Sequence, residues 1–448
     1  MLRFHPPVRH LLLVILAAAG PSTPANTETT PATPSAIVGE QNEGDLASFD
    51  MIWDTVRSRA WRAAVEGLDW QAVRDELRPR YAAAKSEAER RALLKQMLSR
   101  LGLSHYALIP RALAGNTTKT RGNATPGITL RVLEGRALVL RVTPGSPAER
   151  AGIRSGWMLS EVEGKQVSTL IETLDRSYAA STMRGLMLVQ ELSSLLSGAP
   201  REKRRAVFLD GADRLRSLTL ELAAPEGRPT SFGNLPQMAL SIRSELIDGP
   251  EDAPAPIGLL AFNAFLDPVH VMAATGKLVK ACSGCAGIVI DLRGNPGGIG
   301  AMAMGLAGWF TADSGRRLGT MHTRDGELHF AVFPRAQPFT GRLAILIDEA
   351  SASTSEIFAS GLQDLGRARV FGRRSAGAAL PSVIVDLPSG DAFQYAIADY
   401  VSAGGRSLEG IGVLPDETIV PTREQLLAGR DPVLEKALSW LRGTEEAP

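Results

Sequence analysis

The sequence predicts an α/β core, a mixed sheet with flanking helices, preceded by an N-terminal helical domain and a β-rich domain. Two near-continuous apolar runs, at residues 287–292 and 343–348, are typical of strands buried on both faces, and a helical pattern follows each. Apolar residues recur at helical spacing in residues 44–113, whereas apolar and polar positions alternate within residues 126–224. These observations predict three folded units in a chain of 448 residues.

The N-terminal segment predicts export. Arg3 and Arg9 precede a short apolar run at residues 11–19, a pattern typical of a secretory signal peptide, which we place at residues 1–25. The apolar run is short for a membrane span. Residues 26–43 are rich in Pro, Thr, Ser and Ala without periodicity, which predicts a disordered linker. We therefore expect an exported protein, periplasmic or secreted, without stable membrane insertion.

Charge and composition argue against several function classes. The chain has 49 Lys and Arg residues against 48 Asp and Glu residues, a formal charge of +1. We find no strongly basic stripe in the sequence and therefore expect no nucleic-acid partner. Because no group of His, Cys and Asp residues has the spacing of metal ligands, we also expect no cofactor.

Helical spacing dominates the predicted N-terminal domain at residues 44–113. Apolar residues recur at Phe49, Ile52, Trp53, Val56, Leu94, Met97, Leu98 and Leu101. Gly102 is a favourable helix stop, and the segment after it, which includes Ser104 and His105, is expected to be a short strand or loop. Residues 114–125 are polar and glycine-rich, which predicts a linker to the next domain.

The β-rich domain is predicted at residues 126–224. Its strands are indicated by the alternating apolar residues Ile128, Leu130, Val132, Leu138, Leu140 and Val142. Residues 144–167 then give a turn, a short helix, a second turn, a strand and a hairpin. This order resembles the middle of a PDZ domain, in the form found in exported bacterial proteases.

A PDZ domain adds a peptide strand to the edge of its sheet and often captures a C-terminus. The resemblance implies a peptide-binding loop near Gly127 and Ile128, where the usual sequence pattern is degenerate. A purely structural or gating role therefore stays open. Residues 169–198 predict a helical insertion that a minimal PDZ domain does not need.

The α/β core is predicted at residues 226–425, followed by a C-terminal helix and tail at residues 426–448. Within the core, Cys282 and Cys285 lie between a helix end and the strand that begins at Gly287. In an exported protein this C-x-x-C spacing favours a local disulfide, with two free thiols as the alternative.

Two turns of the core carry residues that suggest chemistry. Residues 291–298, Asp-Leu-Arg-Gly-Asn-Pro-Gly-Gly, end a strand in a glycine-rich turn that can present bare N–H groups to an anion. Residues 345–358 run from an apolar strand through small residues into an amphipathic helix, with Ser353 at the junction. This pattern indicates a nucleophile elbow, in which a serine hydroxyl lies beside free helix N–H groups. An ordinary serine N-cap is the alternative.

Taken in order, these two turns and the segment Gly-Ile-Gly-Val-Leu-Pro-Asp at residues 410–416 resemble the tail-specific, or C-terminal-processing, serine peptidases of family S41. The helical start and the PDZ-like domain fit the same family, so the resemblance covers nearly all of the mature chain. It implies Ser353 as the nucleophile, since the register of the motif favours it over Ser351 and Ser355.

The family resemblance also implies an oxyanion hole, formed by the N–H of Thr354 and that of Gly297 or Gly298. For the base, two branches of the family have to be compared. The best-known branch of the family uses a lysine 25 residues after the serine, but that position is Ala378 here. The only lysine after Ser353 is Lys436, close to the C-terminus.

A second branch, similar to the tricorn-type peptidases, uses a histidine with a serine before it and a glutamate. His105 follows Ser104 within Leu-Gly-Leu-Ser-His, 248 residues before Ser353, and Glu409 lies 56 residues after Ser353. The resemblance implies His105 as general base and acid, with Glu409 and Ser104 orienting it. The reserve bases are His270, His322 and His329.

We therefore expect an exported serine endopeptidase that acts on unfolded or tail-exposed proteins, with the PDZ-like domain selecting or gating the substrate. Its partners would be protein or peptide substrates. The main alternative is a catalytically inactive peptide-binding scaffold, and an acyl hydrolase for small substrates is a third possibility. A movement that brings the His105 and Ser353 domains together is a further hypothesis.

Overall fold

The structure is a computed structural model in which side chains and backbone are described for most of the chain. The described residues are 34–109, 123–179, 181–231, 238–251 and 253–444. The predicted signal peptide at residues 1–25 lies outside them. None of the helices in the described part is both long and apolar enough to span a bilayer.

Helices occur in all three predicted regions. They are α1 (Pro34–Ser58), α2 (Trp70–Ala83), α3 (Glu87–Ser99), α4 (Pro147–Arg150), α5 (Val167–Ser177), α6 (Arg184–Leu195), α7 (Pro268–Ala281), α8 (Gly300–Ala307), α9 (Thr354–Asp364), α10 (Arg423–Leu427) and α11 (Pro432–Arg442). Side-chain caps begin several of them, because free N–H groups of a first turn need acceptors. The Ser86 side chain accepts from Glu89 N, and that of Asp431 accepts from Leu434 N.

Within the described residues, the strands form one large mixed sheet, a second sheet in the β-rich domain and three small sheets. They are β1 (Ala107–Ile109), β2 (Ile128–Leu133), β3 (Arg136–Val142), β4 (Met158–Val162), β5 (Lys165–Gln166), β6 (Lys203–Leu209), β7 (Leu215–Glu221), β8 (Arg228–Thr230), β9 (Met238–Leu240), β10 (Ile242–Ile247), β11 (Ile257–Phe262), β12 (Gly287–Asp291), β13 (Arg317–Thr323), β14 (Glu327–Ala331), β15 (Arg342–Ile347), β16 (Arg369–Gly372), β17 (Ser382–Asp386), β18 (Ala392–Ala396), β19 (Ala398–Ser402) and β20 (Glu417–Thr418).

The start of α1 corrects the predicted linker. Residues 26–43 were expected to be disordered, but α1 begins at Pro34 and continues without interruption to Ser58. Proline is tolerated at the first helical position, since its missing N–H has no intrahelical acceptor there. The composition of the segment is polar enough to suggest disorder, yet the residues after the proline extend the amphipathic helix that follows them. The rest of the predicted linker lies outside the described residues.

The central sheet has the strand order β10-β11-β12-β15-β16-β20. β10 is antiparallel to β11, and the other neighbours are parallel. Side chains on one face, such as Ile288 and Ile345, pack with α7, α8 and α9. Side chains on the other face, such as Val289 and Ala344, pack with α11. The prediction of a mixed α/β core whose strands are buried on both faces is confirmed.

The N-terminal helical domain is present as predicted, and it packs directly on the core. Its buried side chains, among them Phe49 and Leu94, form one cluster with Leu380 and Phe393 of the core. β1, which follows the last helix, pairs antiparallel with β18. The segment that carries Ser104 and His105 is therefore fixed to the core by sheet pairing and by apolar burial.

The β-rich domain contains the sheet β2-β3-β4-β6-β7, with β5 paired to β4. Helices α5 and α6 cover one face through buried residues such as Ile171 and Leu188. β2 lies at the edge of this sheet. The PDZ assignment and the peptide-binding role of Gly127 and Ile128 stay predictions.

One further contact joins two of the units, and a disulfide closes a local loop within the core. Arg423 at the start of α10 donates from Nε to Gly156 O at 3.0 Å and from Nη2 to Asp210 O at 2.7 Å, which anchors the β-rich domain to the C-terminal segment. At the end of α7, Cys282 and Cys285 are joined by a disulfide.

Candidate active site

Ser353 occupies the sharp turn between β15 and α9. Its backbone has φ 54° and ψ −118°, a conformation that non-glycine residues rarely adopt and that is typically retained at functional sites. Ser351 and Ser355 are fully buried, and their hydroxyls donate to Leu292 O at 2.8 Å and Asn295 O at 2.9 Å. Ser353 is only partly buried and lines a cavity, so of these three serines it has the accessible position.

The glycine-rich turn after β12 lies alongside the serine turn. Ala352 N donates to Asn295 O at 3.1 Å, and Thr354 Oγ1 donates to Gly298 O at 3.0 Å. A Cβ atom on Gly297 would lie 2.8 Å from Ser353 Cβ and 2.8 Å from Thr354 N. This close approach requires glycine, because a larger residue would push the two turns apart.

Each of the two turns contributes to the cavity wall a residue whose backbone N–H has no acceptor among the described residues. Within the described part of the chain, neither Thr354 N nor Gly298 N has a hydrogen-bond acceptor. Gly297 N, in contrast, donates to Asn295 Oδ1 at 2.9 Å. Of the two glycines considered from the sequence, Gly298 thus has the available donor, while Gly297 contributes its missing side chain.

His105 is linked to Glu409 through Ser104. Ser104 Oγ lies 2.6 Å from His105 Nδ1 and donates to Glu409 Oε2 at 2.8 Å. Ser104 N donates to Glu409 Oε1 at 2.7 Å. Because the hydroxyl hydrogen is directed to the carboxylate, the serine oxygen accepts from Nδ1–H, and this tautomer leaves Nε2 unprotonated. A basic nitrogen is the one a serine nucleophile needs.

Burial shifts both ends of this chain of hydrogen bonds toward the neutral form. It lowers the pKa of His105 to about 4, since a desolvated imidazolium is unfavourable. Burial also raises the pKa of Glu409, although the hydrogen bonds from Ser104 and Ala379 act in the opposite direction. The imidazole is therefore neutral, and able to accept a proton, throughout the neutral pH range.

His105 and Ser353 line the same cavity, which has a volume of about 270 Å³. The described contacts contain no hydrogen bond between the two side chains. The cavity walls are mostly apolar, and they include Leu266, Met304, Met321, Phe330, Ile357 and Ile384. The reserve bases lie elsewhere, with imidazole partners outside this cavity: Asp267 for His270, Asp399 for His322 and Thr320 for His329.

Glu356 is a buried carboxylate directly behind the serine turn. It accepts from Ser353 N at 2.9 Å, Ser375 Oγ at 2.6 Å, Gly377 N at 2.8 Å and Ala378 N at 3.0 Å. Burial raises its pKa to about 7, against the opposing effect of these four donors. The sequence indicates only a polar residue on the helix after the turn, because its partners come from a segment about twenty residues later.

The backbone of residues 378 and 379 connects the carboxylates of Glu356 and Glu409. Ala378 N donates to Glu356, and Ala379 N donates to Glu409 Oε2 at 3.1 Å. Ala378 itself is 3% exposed and belongs to an apolar cluster with Leu186, Ala350, Ala352 and Ala376. The position at which one branch of the family has a lysine is here part of the backbone framework of the site.

Sequence reasoning missed two further charged groups, Arg131 and Asp348. They form a buried ion pair, with Arg131 Nη2 2.6 Å from Asp348 Oδ2. The two residues lie 217 positions apart, so no local pattern could have indicated the pair. Within the described residues no cluster of three or more His, Cys, Asp or Glu side chains is suited to hold a metal ion.

Two family models match the chain. Residues 256–419 match peptidase family S41, and residues 46–99 match the tricorn protease C1 domain. The first match covers every strand of the central sheet except β10, together with both turns of the candidate site. The second covers α2, α3 and the latter part of α1, which precede His105.

Curated relatives give similar matches at low identity. The chain is 27% identical over 329 residues to the chloroplastic C-terminal processing peptidase of Tetradesmus obliquus, covering 70% of this chain and 64% of that relative. It is 25% identical over 422 residues to a Streptomyces coelicolor protein named as a tricorn protease homolog, covering 87% of this chain and 32% of that protein. For the carboxyl-terminal-processing protease of Synechocystis the values are 23% over 393 residues, with 86% and 83% covered. The chain thus spans about a third to two thirds of the first two relatives.

Solved structures support the fold. A photosystem II D1 C-terminal processing protease superposes with a TM-score of 0.55 at 24% identity, covering 86% of this chain and 96% of that one. Mature CPAF superposes with a TM-score of 0.65 at 15% identity, covering 91% and 99%. The chain is thus similar to peptidase family S41 over residues 256–419 and to C-terminal-processing and tricorn-like proteases at 23–27% identity. The solved structures show that it shares their fold.

Proposed function

We propose that this chain is an exported serine endopeptidase that cleaves unfolded or tail-exposed polypeptides through an acyl-enzyme. The observation that carries the proposal is the hydrogen-bonded series from Glu409 through Ser104 to His105, which ends in the cavity lined by Ser353. Such a series gives a serine nucleophile the base it requires at neutral pH.

In the proposed reaction, His105 Nε2 removes the proton of Ser353 Oγ while this oxygen forms a bond to the scissile carbonyl carbon. The resulting oxyanion accepts hydrogen bonds from Thr354 N–H and Gly298 N–H. The C–N bond then breaks, and the leaving amine takes the proton from His105. Water, activated by the same base, subsequently hydrolyses the acyl-enzyme and releases Ser353.

Glu409 acts in this scheme without touching the substrate. Its carboxylate faces Ser104, whose hydroxyl holds Nδ1 of His105, so negative charge at Glu409 stabilises the imidazolium that forms during each proton transfer. Glu356 is proposed to hold the backbone of the serine turn, because one of its oxygens accepts from Ser353 N.

The walls of the cavity support a preference for an apolar substrate side chain next to the scissile bond. Met304, Met321 and Phe330 line the space beside Ser353, and burial of an apolar side chain there is favourable. A small polar ester would gain little from these walls, whereas an apolar side chain of a polypeptide would be buried by them.

The β-rich domain is proposed to select or gate the substrate. β2 lies at the edge of its sheet, where a peptide strand can add by backbone hydrogen bonds. Gly127 and Ile128 at the start of this strand are the proposed contacts for the peptide end. Export to the periplasm or beyond rests on the signal-like residues 1–25.

The test is digestion of casein, read by mass spectrometry, with wild-type protein, Ser353→Ala and His105→Ala, each with its fold checked by circular dichroism. Cleavage by wild type alone supports the proposal. Cleavage by His105→Ala would mean that the base lies elsewhere. If wild type neither cuts casein nor reacts with a fluorophosphonate at Ser353, the proposal is wrong, and measured binding of the same peptides would then favour the peptide-binding scaffold.

A further inference from the structure

A buried ion pair joins the β-rich domain to the serine turn. Arg131 lies in β2 and is 3% exposed, while Asp348 follows β15 and is 4% exposed. Arg131 Nε and Nη2 lie 2.8 and 2.6 Å from Asp348 Oδ2. Two charges that are removed from water so completely are stable only when they are paired with good geometry.

The second oxygen of Asp348 holds both turns of the candidate site. Asp348 Oδ1 accepts from Gly294 N at 2.8 Å and from Ala350 N at 3.1 Å. Gly294 belongs to the glycine-rich turn that continues to Gly298, and Ala350 lies three residues before Ser353. One carboxylate thus accepts from both turns and adds to the direct hydrogen bonds between them, such as that from Ala352 N to Asn295 O.

Arg131 is in direct contact with this junction. A Cβ atom on Gly294 would lie 3.0 Å from Arg131 Nη2, so the guanidinium rests against the glycine-rich turn. Its Nε is also 3.8 Å from Glu349 Oε1. The arginine therefore neutralises the carboxylate and fills the space between the two turns.

A second contact from the same domain reaches the same place. Gly185 in the first turn of α6 lies so near Glu349 that an added Cβ would be 2.5 Å from the Glu349 Cβ. Leu186 packs with Ala350 and Ala352 in one apolar cluster. The serine turn is thus held between the core sheet and two elements of the β-rich domain.

We propose that Arg131 is a positioning residue for catalysis, and that the β-rich domain completes the active site by seating this arginine on Asp348. The proposal rests on the proposed peptidase function for its catalytic consequence, but its structural part does not depend on that function. Without the guanidinium, Asp348 is a buried charge lacking its cation, and it rearranges or takes up a proton. The two turns then lose their common acceptor.

The experiment compares Arg131→Ala, Arg131→Lys and Asp348→Asn with Arg423→Ala. The control arginine also joins the core region to the β-rich domain, through Gly156 O and Asp210 O, but it does not contact the serine turn. For each protein, amide hydrogen exchange is measured in residues 292–298 and 348–355, together with the melting temperature, kcat and KM for an unfolded substrate.

The expected result is faster exchange in both turns for Arg131→Ala, by tenfold or more, and a loss of kcat of about 100-fold with KM changed less than threefold. Arg131→Lys should recover part of this loss, since it restores the charge without the fork of donors. Arg423→Ala should lower the melting temperature and leave kcat within about threefold of wild type.

Two outcomes would overturn the proposal: unchanged exchange in both turns of Arg131→Ala, or equal loss of kcat in Arg423→Ala, which would indicate general loosening of the domain. If wild type proves inactive, the peptidase function fails, and the exchange data still decide whether Arg131 holds the turns. Faster exchange in Arg131→Ala alone would then support its positioning role.

Discussion

The backbone N–H of Ser353 donates to the carbonyl oxygen of Ala378 at 2.8 Å. Position 378 is 25 residues after the serine. In the Ser–Lys branch of family S41, which this sequence resembles, that position holds the base. In this chain the residue contributes its backbone instead, and its methyl group is buried against Leu186 and Ala352. This hydrogen bond, shared with the one from Ser353 N to Glu356 Oε2 at 2.9 Å, holds the backbone of the serine turn.

Ala378→Lys is therefore predicted not to restore a dyad. The side chain of residue 378 is directed into a closed apolar cluster, so a lysine there must desolvate its ammonium or displace α6. We expect a loss of roughly 2–3 kcal/mol in unfolding free energy, within the range for overpacked cores. In the His105→Ala background, the added lysine should give no casein cleavage. Recovered cleavage by this double variant would show that the lysine can reach Ser353.

Glu409→Gln is predicted to lower kcat by about 10- to 100-fold with little change in KM, the range found for groups that orient a ligand or base. The amide keeps the shape of the side chain but lacks the charge that stabilises the imidazolium, and its NH2 group replaces an oxygen that accepts from Ser104 or Ala379. The measurement is steady-state cleavage of a fluorogenic peptide, with the exposed Glu424→Gln as control. A kcat of Glu409→Gln within threefold of wild type would exclude an electrostatic role for Glu409.

The pH dependence of kcat/KM is predicted to follow the low pKa of His105. Burial disfavours the imidazolium and lowers the pKa of His105 to about 4. The neutral imidazole therefore persists as the pH falls to about 4. We expect kcat/KM to rise as the pH increases through about 4, because only neutral imidazole accepts the serine proton. The profile should be recorded from pH 3.5 to 8 with the fold monitored. An acidic limb near 6.5 that persists in Glu356→Gln and in Glu409→Gln would mean that the imidazole is solvated in the free enzyme.

The contribution of Glu356 to the free energy of unfolding is predicted to fall as the pH rises. Burial raises its pKa to about 7 in the folded protein, above the ordinary value of 4.5, so the folded state binds more protons between these values. This contribution to stability is complete below pH 4.5 and is lost as the pH rises through 7. It amounts to on the order of 3 kcal/mol, from about 1.4 kcal/mol per pKa unit.

The measurement for Glu356 is denaturant unfolding at pH 5 and pH 8 for wild type and Glu356→Gln. The difference in unfolding free energy between the two proteins should shift in favour of Glu356→Gln as the pH rises. The comparison with glutamine cancels the other titrating groups, which include His105. A difference that does not change with pH would show that Glu356 stays ionised, held by its four donors.

Met304→Lys is predicted to change which bonds are cut. Met304 lines the cavity beside Ser353, and a charge there opposes burial of an apolar substrate side chain. We expect at least a tenfold lower kcat/KM for a peptide with leucine next to the scissile bond, and a smaller loss for the matched alanine peptide. Equal losses for both peptides would indicate that the cavity does not receive a substrate side chain.

Much of the fold follows from local patterns in the sequence. The apolar runs at 287–292 and 343–348 predict buried parallel strands, and helical spacing predicts the N-terminal domain. The linker boundary was wrong for residues 34–43, since a polar helix that extends an amphipathic one carries no apolar stripe of its own. How the helical domain meets the core through β1 and β18 was not predictable, because strand pairing between distant segments depends on tertiary packing.

For the candidate site, the sequence by itself determined which residues were considered: Ser353 at a strand–helix junction, His105 after Ser104, and two adjacent glycines. Only the tertiary structure decided that Glu409 meets Ser104, that Gly298 rather than Gly297 has a free N–H, and that Arg131 reaches Asp348. The physical reason is that hydrogen bonds and ion pairs depend on distance in space. Sequence periodicity specifies the environment of a residue within its own element, whereas partners hundreds of residues away are fixed only when the elements pack.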